Sequence, residues 1–224
     1  MFGRINEIFA SIQGEGVYFG EKQVFVRFAH CNLQCSYCDT EFNRFQEYGV
    51  DELLSAIASY GGGFHSVSFT GGEPLMQKDF LREALALVKR SGTKTYLETN
   101  GTLPEALDEV VEFVDIIAMD FKLSSSGNSE RAYWNEHRRF LKTARQKEVF
   151  VKAIIGAATT EEDFLAMASL LDEEKYRGIL VLQPNSLEEG KHLDEKLAMF
   201  KNWGATHPFS VWVMPQMHKV WGVK

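Results

Sequence analysis

Short apolar segments alternate with helical segments from residue 24 to residue 213, and no other feature of the chain limits its fold as strongly. Val24–Phe28 is apolar and β-branched enough for a buried strand, and it runs into a loop holding every cysteine. Asp51–Tyr60 carries Leu53, Leu54 and Ile57 at helical spacing, and Gly61–Gly63 ends it. Ser66–Phe69 reads as a short strand, and Asp79–Arg90 places Phe80, Leu81, Leu85 and Val88 on one helical face. Thr95–Glu98 is a strand followed by the turn Thr99-Asn100-Gly101, then Pro104–Val114 a helix with proline near its start. Asp115–Asp120 is the next strand, followed by a helix from about Glu130 to Ala144. Val149–Ile155, Glu161–Leu171, Gly178–Leu182, Glu188–Trp203 and Phe209–Val213 continue the pattern. Repeated βα units predict an α/β fold with a parallel sheet flanked by helices. A full eight-unit barrel usually needs about 250 residues. A chain of 224 residues is therefore expected to form an open, partial (β/α)6-type barrel, one domain spanning residues 1–224.

The cysteines are Cys31, Cys35 and Cys38, three within eight residues, and there is no fourth. A closed structural zinc site takes four ligands, and a 4Fe-4S cluster has four irons to ligate. Three thiolates on one loop leave one iron open to a substrate or cosubstrate. A Cys3His zinc site is the competing reading, with His30 or His65 as fourth ligand. Adjacent residues such as His30 and Cys31 rarely both turn toward one metal. The odd count and tiny loops argue against disulfides.

Other motifs share the placement of this loop. Thr70-Gly71-Gly72-Glu73-Pro74 follows the second predicted strand, and Thr99-Asn100-Gly101 follows the third. In open α/β sheets ligands gather at the carboxyl ends of strands, so all three loops point to one site. The formal net charge of −7 argues against broad nonspecific nucleic-acid binding. No apolar run is long enough to span a bilayer, and residues 1–12 hold no apolar signal core. With free thiols, these features place the expected chain in the cytoplasm.

The spacing C-x3-C-x2-C, with Tyr37 before the last cysteine, and the Gly-Gly-Glu loop resemble the radical S-adenosylmethionine (SAM) superfamily. More specific are residues 7–16, Val24-Phe25-Val26-Arg27-Phe28, Cys38-Asp39-Thr40 and Met214-Pro215-Gln216-Met217-His218-Lys219. Together they resemble the 7-carboxy-7-deazaguanine synthase family, from about residue 5 to the last few residues. The resemblance implies a 4Fe-4S cluster on Cys31, Cys35 and Cys38, SAM, and Mg2+ held by Thr40, whose hydroxyl is a suitable hard ligand. It implies ring contraction of 6-carboxy-5,6,7,8-tetrahydropterin with loss of ammonia, feeding deazapurine pathways such as queuosine. It also implies a homodimer.

The same resemblance assigns residue roles. Tyr37 and Asp39 would lie against the adenine of SAM, Gly72 and Glu73 at its amino group, and Glu98 and Asn100 at its ribose. An ordinary strand-end turn with a left-handed asparagine is the plain alternative for the last pair. Asp120, Phe121 and Lys122 stand where the family has Ser-Pro-Lys, so only the lysine is retained, and Gln183-Pro184-Asn185-Ser186 matches its adenosyl-binding segment. Arg27, a cation in an apolar strand, suits a substrate carboxylate, the alternative being an internal salt bridge. Ile12, Gln13, Gly14 and Glu15 form a glycine-bounded loop whose acid can accept pterin N–H groups. Thr70 is a further substrate contact, and the tail residues Gln216, His218 and Lys224 would close over the substrate.

Two other functions compete with this one. An activating enzyme that makes a glycyl radical on a protein partner shares the cysteine spacing, but residues 13–16 and the C-terminal pattern favour the synthase. A noncatalytic zinc-binding α/β module would make the glycine and asparagine loops incidental. Residues 130–147 carry Arg131, His137, Arg138, Arg139, Lys142, Arg145 and Lys147. A solvated helix face is the preferred reading, and docking of an acidic electron donor such as flavodoxin the alternative.

Overall fold

The computed structural model describes residues 1–38, 44–126, 131–188 and 190–223. Asp39, Thr40 and Lys224, each expected at the site, lie outside the described residues. The elements in chain order are β1 Phe2–Ile12, β2 Lys22–Phe28, β3 Gln46–Gly49, α1 Val50–Ala58, β4 Ser66–Gly71, α2 Lys78–Arg90, β5 Lys94–Thr99, α3 Pro104–Val110, β6 Ile116–Phe121, α4 Trp134–Ala144, β7 Glu148–Ile155, α5 Glu161–Glu173, β8 Ile179–Pro184, α6 Lys191–Gly204, β9 Ser210–Val213 and α7 Met217–Trp221. They build one nine-stranded sheet in the order β3-β1-β2-β4-β5-β6-β7-β8-β9. From β2 onward every neighbouring pair along this order is parallel. The edge strands β3 and β9 are not paired with each other, so the expected open barrel is what forms.

The departure from expectation is at the N-terminus. β1 was not anticipated, and it pairs antiparallel with both β2 and β3. Its apolar alternation is broken at Asn6 and Glu7, where the register with β2 shifts and both side chains border a cavity rather than a core. α4 begins at Trp134, after the start expected near Glu130, which lies outside the described residues.

The period of two along each strand sorts side chains to two faces. In β6, Ile117, Met119 and Phe121 join the main core under the helices, while Ile116 and Ala118 join a second cluster with Tyr96, Phe150 and Val181. On that second face, one step nearer the carboxyl ends, the residues are Glu98, Asp120, Lys152 and Gln183. Apolar residues thus plug the concave side low down, and polar ones line it higher up. The helices supply the covering layer. α2, for example, buries Phe80, Leu81, Ala84, Leu85 and Val88, the large ones worth about 1.5–3 kcal/mol each. No helix among the described residues is long and apolar enough to cross a membrane.

The basic segment on α4 is a salt-bridged surface. Arg138 meets Glu173 at 2.7 Å and Glu174 at 3.1 Å, Arg139 meets Glu105 at 2.6 Å, and Lys142 lies 3.6 Å from Glu174. These charges are balanced within the fold by acids on and beside the neighbouring helices, which supports the solvated-face reading. His137 does not belong to that surface at all, being fully buried.

Candidate active site

Two cavities adjoin at the carboxyl ends of the strands. The wider, about 650 Å³, lies against β1 and β2 and is lined by Asn6, Glu7, Phe9, Ile12, Gln13, Gly14, Glu15, Phe25, Arg27, Arg44, Thr70, Glu98, Gln216, His218, Lys219 and Val223. The narrower, about 190 Å³, holds all three cysteines together with Tyr37, Gly71, Gly72, Asn100, Asp120, Lys122, Lys152, Gln183, Asn185 and Ser186. Glu15, Arg27, Thr70, Glu98 and Gln216 line both, and so form a common wall. Of the described residues, those expected at the substrate fall in the first cavity, and those expected at SAM fall mostly in the second.

The cysteine loop is held by backbone contact with the Gly-Gly-Glu turn. Gly72 N–H donates to the Phe28 carbonyl at 3.0 Å and Glu73 N–H to the His30 carbonyl at 2.9 Å. A Cβ on Gly72 would stand 1.7 Å from that His30 oxygen, so only glycine permits the approach. Asn32 ties the loop to the next turn, donating to Thr102 Oγ1 at 2.9 Å and accepting from Asn100 Nδ2 at 2.8 Å. Asn100 in turn accepts from the Thr102 N–H and hydroxyl. The left-handed residue of that turn is Gly101, at φ +67°, and not Asn100.

The zinc alternative loses its fourth ligand here. His65 precedes β4, at the opposite end of the sheet from the thiols, where it packs on Tyr18 and contacts Ser66 Oγ at 3.1 Å. His30 turns its ring against Phe45. Among the described residues no three of His, Cys, Asp or Glu converge on a single ion. A cluster asks for something different, one thiolate per iron. Three thiols lining one cavity, with a glycine backbone against their loop, fit that requirement. Burial pushes the Cys31 thiol up to about 11 and raises Cys35, so loading iron there must displace protons.

The far side of the narrow cavity is polar and incompletely satisfied. Lys122 Nζ pairs with Asp120 Oδ2 at 2.7 Å and lies over the Tyr37 ring at 5.4 Å. Among the described residues, Asp120 Oδ1 and Gln183 Oε1 find no hydrogen-bond partner though both are buried. Two orphaned acceptors beside the thiols fit a ligand bearing hydroxyl and amino donors, which the ribose and methionyl amine of SAM provide.

In the common wall, Glu98 accepts from Gln13 Nε2 at 2.8 Å and Ser68 Oγ at 3.1 Å through one oxygen, and from Thr70 Oγ1 at 3.1 Å through the other. Gln13 also bonds Gln23 at 3.0 Å, so its amide anchors the loop in the sheet. Glu15 forms an ion pair with Lys152 and accepts from Gln216 Nε2 at 2.6 Å. Burial alone would raise its carboxyl, but Lys152, with help from Gln216 and His218, carries it down to about 2. Arg27 Nε donates to Glu7 Oε1 at 2.9 Å, and its guanidinium lies 5.5 Å over the Phe9 ring, itself stacked on Phe25. The salt-bridge alternative for Arg27 is therefore present, and the same side chain still lines both cavities.

The tail returns over this wall. Met217 N–H donates to the Gly14 carbonyl at 2.9 Å, and Lys219 Nζ reaches Ser186 Oγ at 2.6 Å. A Cβ on Gly14 would meet His218 Nδ1 at 2.5 Å, so the glycine lets the tail lie close.

Three expected contacts are placed elsewhere. Phe121 faces the helices, in contact with Trp134 and His137, because strand alternation sends it away from Asp120 and Lys122. The Glu73 carboxylate is wholly buried below the narrow cavity, accepting from Leu75 N–H at 3.1 Å, Thr99 Oγ1 at 2.9 Å and Asn100 N–H at 2.8 Å. That burial raises its carboxyl to about 7, against the lowering effect of those same donors. Pro184 ends β8 and does not line either cavity.

Residues that sequence reasoning passed over include Lys152, His137, Glu7 and Phe9. Lys152 is a lone cation in an apolar strand, the same signal that marks Arg27. His137 sits at helical spacing with Trp134, Leu141 and Ala144, which is a core pattern. Its Nδ1 bonds the Gly101 carbonyl at 3.0 Å and its Nε2 accepts the Lys122 N–H at 3.0 Å. Burial drives its pKa to about 4, so it bridges the two turns as a neutral ring.

Comparisons with known proteins agree with this geometry. Residues 25–175 match the radical SAM superfamily. The chain is similar to the 7-carboxy-7-deazaguanine synthase of Geobacter sulfurreducens, 34% identical with 80% of each chain covered. It is similar to that of Archaeoglobus fulgidus at 33% identity with 100% of each covered. In fold it is similar to the crystal structure of QueE from Escherichia coli, with TM-score 0.67 and 20% identity over 96% of this chain and 94% of that one.

Proposed function

Because the chain belongs to the 7-carboxy-7-deazaguanine synthase family of the radical SAM superfamily, we propose that it converts 6-carboxy-5,6,7,8-tetrahydropterin to 7-carboxy-7-deazaguanine with loss of ammonia. The observation that carries this reading is the common wall, which joins a cavity holding three thiols to a wider one lined by a cation, acids and aromatic rings. In the wide cavity Arg27 offers a cation to a carboxylate, Glu15 an ionised acceptor to an N–H edge, and Phe9 an aromatic face. Cys31, Cys35 and Cys38 would each take one iron, leaving the fourth for SAM. When bound, the cluster and SAM supply a 5′-deoxyadenosyl radical that takes hydrogen from the substrate. Thr70 and Glu98 line both cavities and so position the substrate face that meets the thiol side. The Gln216–Glu15 and Met217–Gly14 bonds hold the tail over the wall.

Mg2+ at Thr40, a flavodoxin-type electron donor, a homodimer and a place in queuosine or related deazapurine synthesis complete the proposal, on the strength of the family resemblance. The test is anaerobic turnover by reconstituted, reduced protein with SAM and the carboxytetrahydropterin, with and without Mg2+. Mass spectrometry should find the deazaguanine and one ammonia lost. Protein that carries a full cluster and cleaves SAM, yet leaves the pterin unchanged, overturns the reading.

A further inference from the structure

Lys152 has no part in the proposed chemistry, yet it is the largely buried cation with which Glu15 of the common wall is paired. It projects from β7 into the narrow cavity and meets Glu15, which reaches it from the loop joining β1 to β2. We propose that Lys152 is a positioning residue that sets substrate specificity, holding Glu15 as an acceptor-only carboxylate so that the wide cavity takes a heterocycle with an amino edge and rejects its oxo counterpart. The inference rests on the pterin reading and adds the reason for its selectivity.

The geometry argues it in two parts. One Glu15 oxygen is committed to Lys152, and the other receives an amide N–H of Gln216 at 2.6 Å. The second oxygen therefore already binds the kind of group a pterin 2-amino substituent would present, an N–H donor on a planar carbon. An ionised carboxylate has no hydrogen to give, so an oxo group at that edge would set lone pair against lone pair. The surroundings do not replace Lys152. His218 from α7 acts on Glu15 in the same sense but more weakly, and Arg27 from β2 is bonded to Glu7. Behind Lys152 stand Glu98 of β5 and Asp120 of β6, both acids and neither a substitute cation, so its removal leaves burial to favour a protonated Glu15. A protonated carboxyl donates as well as accepts, and the discrimination is lost.

The experiment compares wild type, Lys152→Met, Lys152→Arg and the double variant Glu15→Gln/Lys152→Met. Each is reconstituted and checked for iron content, then assayed from pH 6 to pH 8. The substrates are the carboxytetrahydropterin and 6-carboxytetrahydrolumazine, its analogue with oxygen in place of the amino group. Wild type should prefer the amino compound by about 100-fold or more in kcat/KM, with a KM flat across this range. Lys152→Met should lose about tenfold of that preference. Its KM for the amino compound should rise toward pH 6. Lys152→Arg should restore the flat profile, and the double variant, with nothing left to titrate at position 15, should lose the pH dependence. A Lys152→Met protein with wild-type discrimination and a flat KM overturns the inference. Failure of wild type to turn over the pterin would instead overturn the function on which it rests.

Discussion

Replacing Gly72 with alanine tests how the cysteine loop is held. Gly72 is outside the left-handed region, so alanine fits its backbone, and the effect of the substitution is purely steric. The added Cβ would stand 1.7 Å from the His30 oxygen and 2.4 Å from its carbon. Real Cβ contacts essentially never fall under 3.0 Å, so the gap must open by at least 3.0 − 1.7 = 1.3 Å. The His30 carbonyl cannot yield alone, because it accepts the Glu73 N–H at 2.9 Å, while Gly72 N–H is bonded to Phe28 at 3.0 Å. Losing both bonds costs about 1–3 kcal/mol. At about 2 kcal/mol the melting temperature of a chain this size falls by roughly 4–8 °C. Cys31 follows His30 directly, and a displacement near 1 Å at a reacting centre costs about 100-fold in rate. Gly62 is the control, since a Cβ there meets nothing within 4 Å. The assay combines thermal melting by circular dichroism, iron per chain after anaerobic reconstitution, and the rate of SAM cleavage. If Gly72→Ala matches Gly62→Ala in all three, the close backbone approach is not what holds the loop.

Two further outcomes are expected. Arg27→Met should raise KM for the carboxylated substrate about 10–100-fold, the worth of a charged hydrogen bond, with iron content unchanged; a KM within twofold of wild type removes Arg27 from substrate binding. His137 titrates at about 4 in the fold against an ordinary value near 6.5, so the unfolded chain takes up its proton first as pH falls. The stability that its neutral bridge contributes is therefore present above pH 6.5 and is lost between there and about pH 4, amounting to about 3 kcal/mol. Glu73, raised to about 7, acts in the opposite sense over about pH 4.5–7, so the measurement is a difference, urea unfolding of wild type minus that of His137→Gln at several pH values. Parallel profiles for the two proteins would show that the buried ring carries no such linkage.

The βα alternation, the open barrel and the site at the carboxyl ends of the strands are legible from local pattern, because apolar period and turn residues are properties of neighbours in the chain. The cysteine spacing and the Gly-Gly-Glu loop are legible for the same reason. β1 was not, since Asn6 and Glu7 interrupt its pattern where one face meets a cavity that later strands help to create. Glu73 and Phe121 show the opposite error. Each lies within a recognisable motif, but the face a strand turns to its helices sends Phe121 inward, and three donors from two turns draw Glu73 under the floor.

Local order in the chain thus names the thiols, the glycines and the acid of residues 13–16, along with the chemistry they invite. The joining of two cavities through one wall belongs to the folded chain alone. Glu15 meets Lys152 and Gln216 across 137 and 201 residues of sequence, and Lys122 is steadied by a histidine on the helix behind it. Contacts at such separations arise because parallel strands in register bring distant carboxyl ends to one rim, and burial there decides which groups keep their charge.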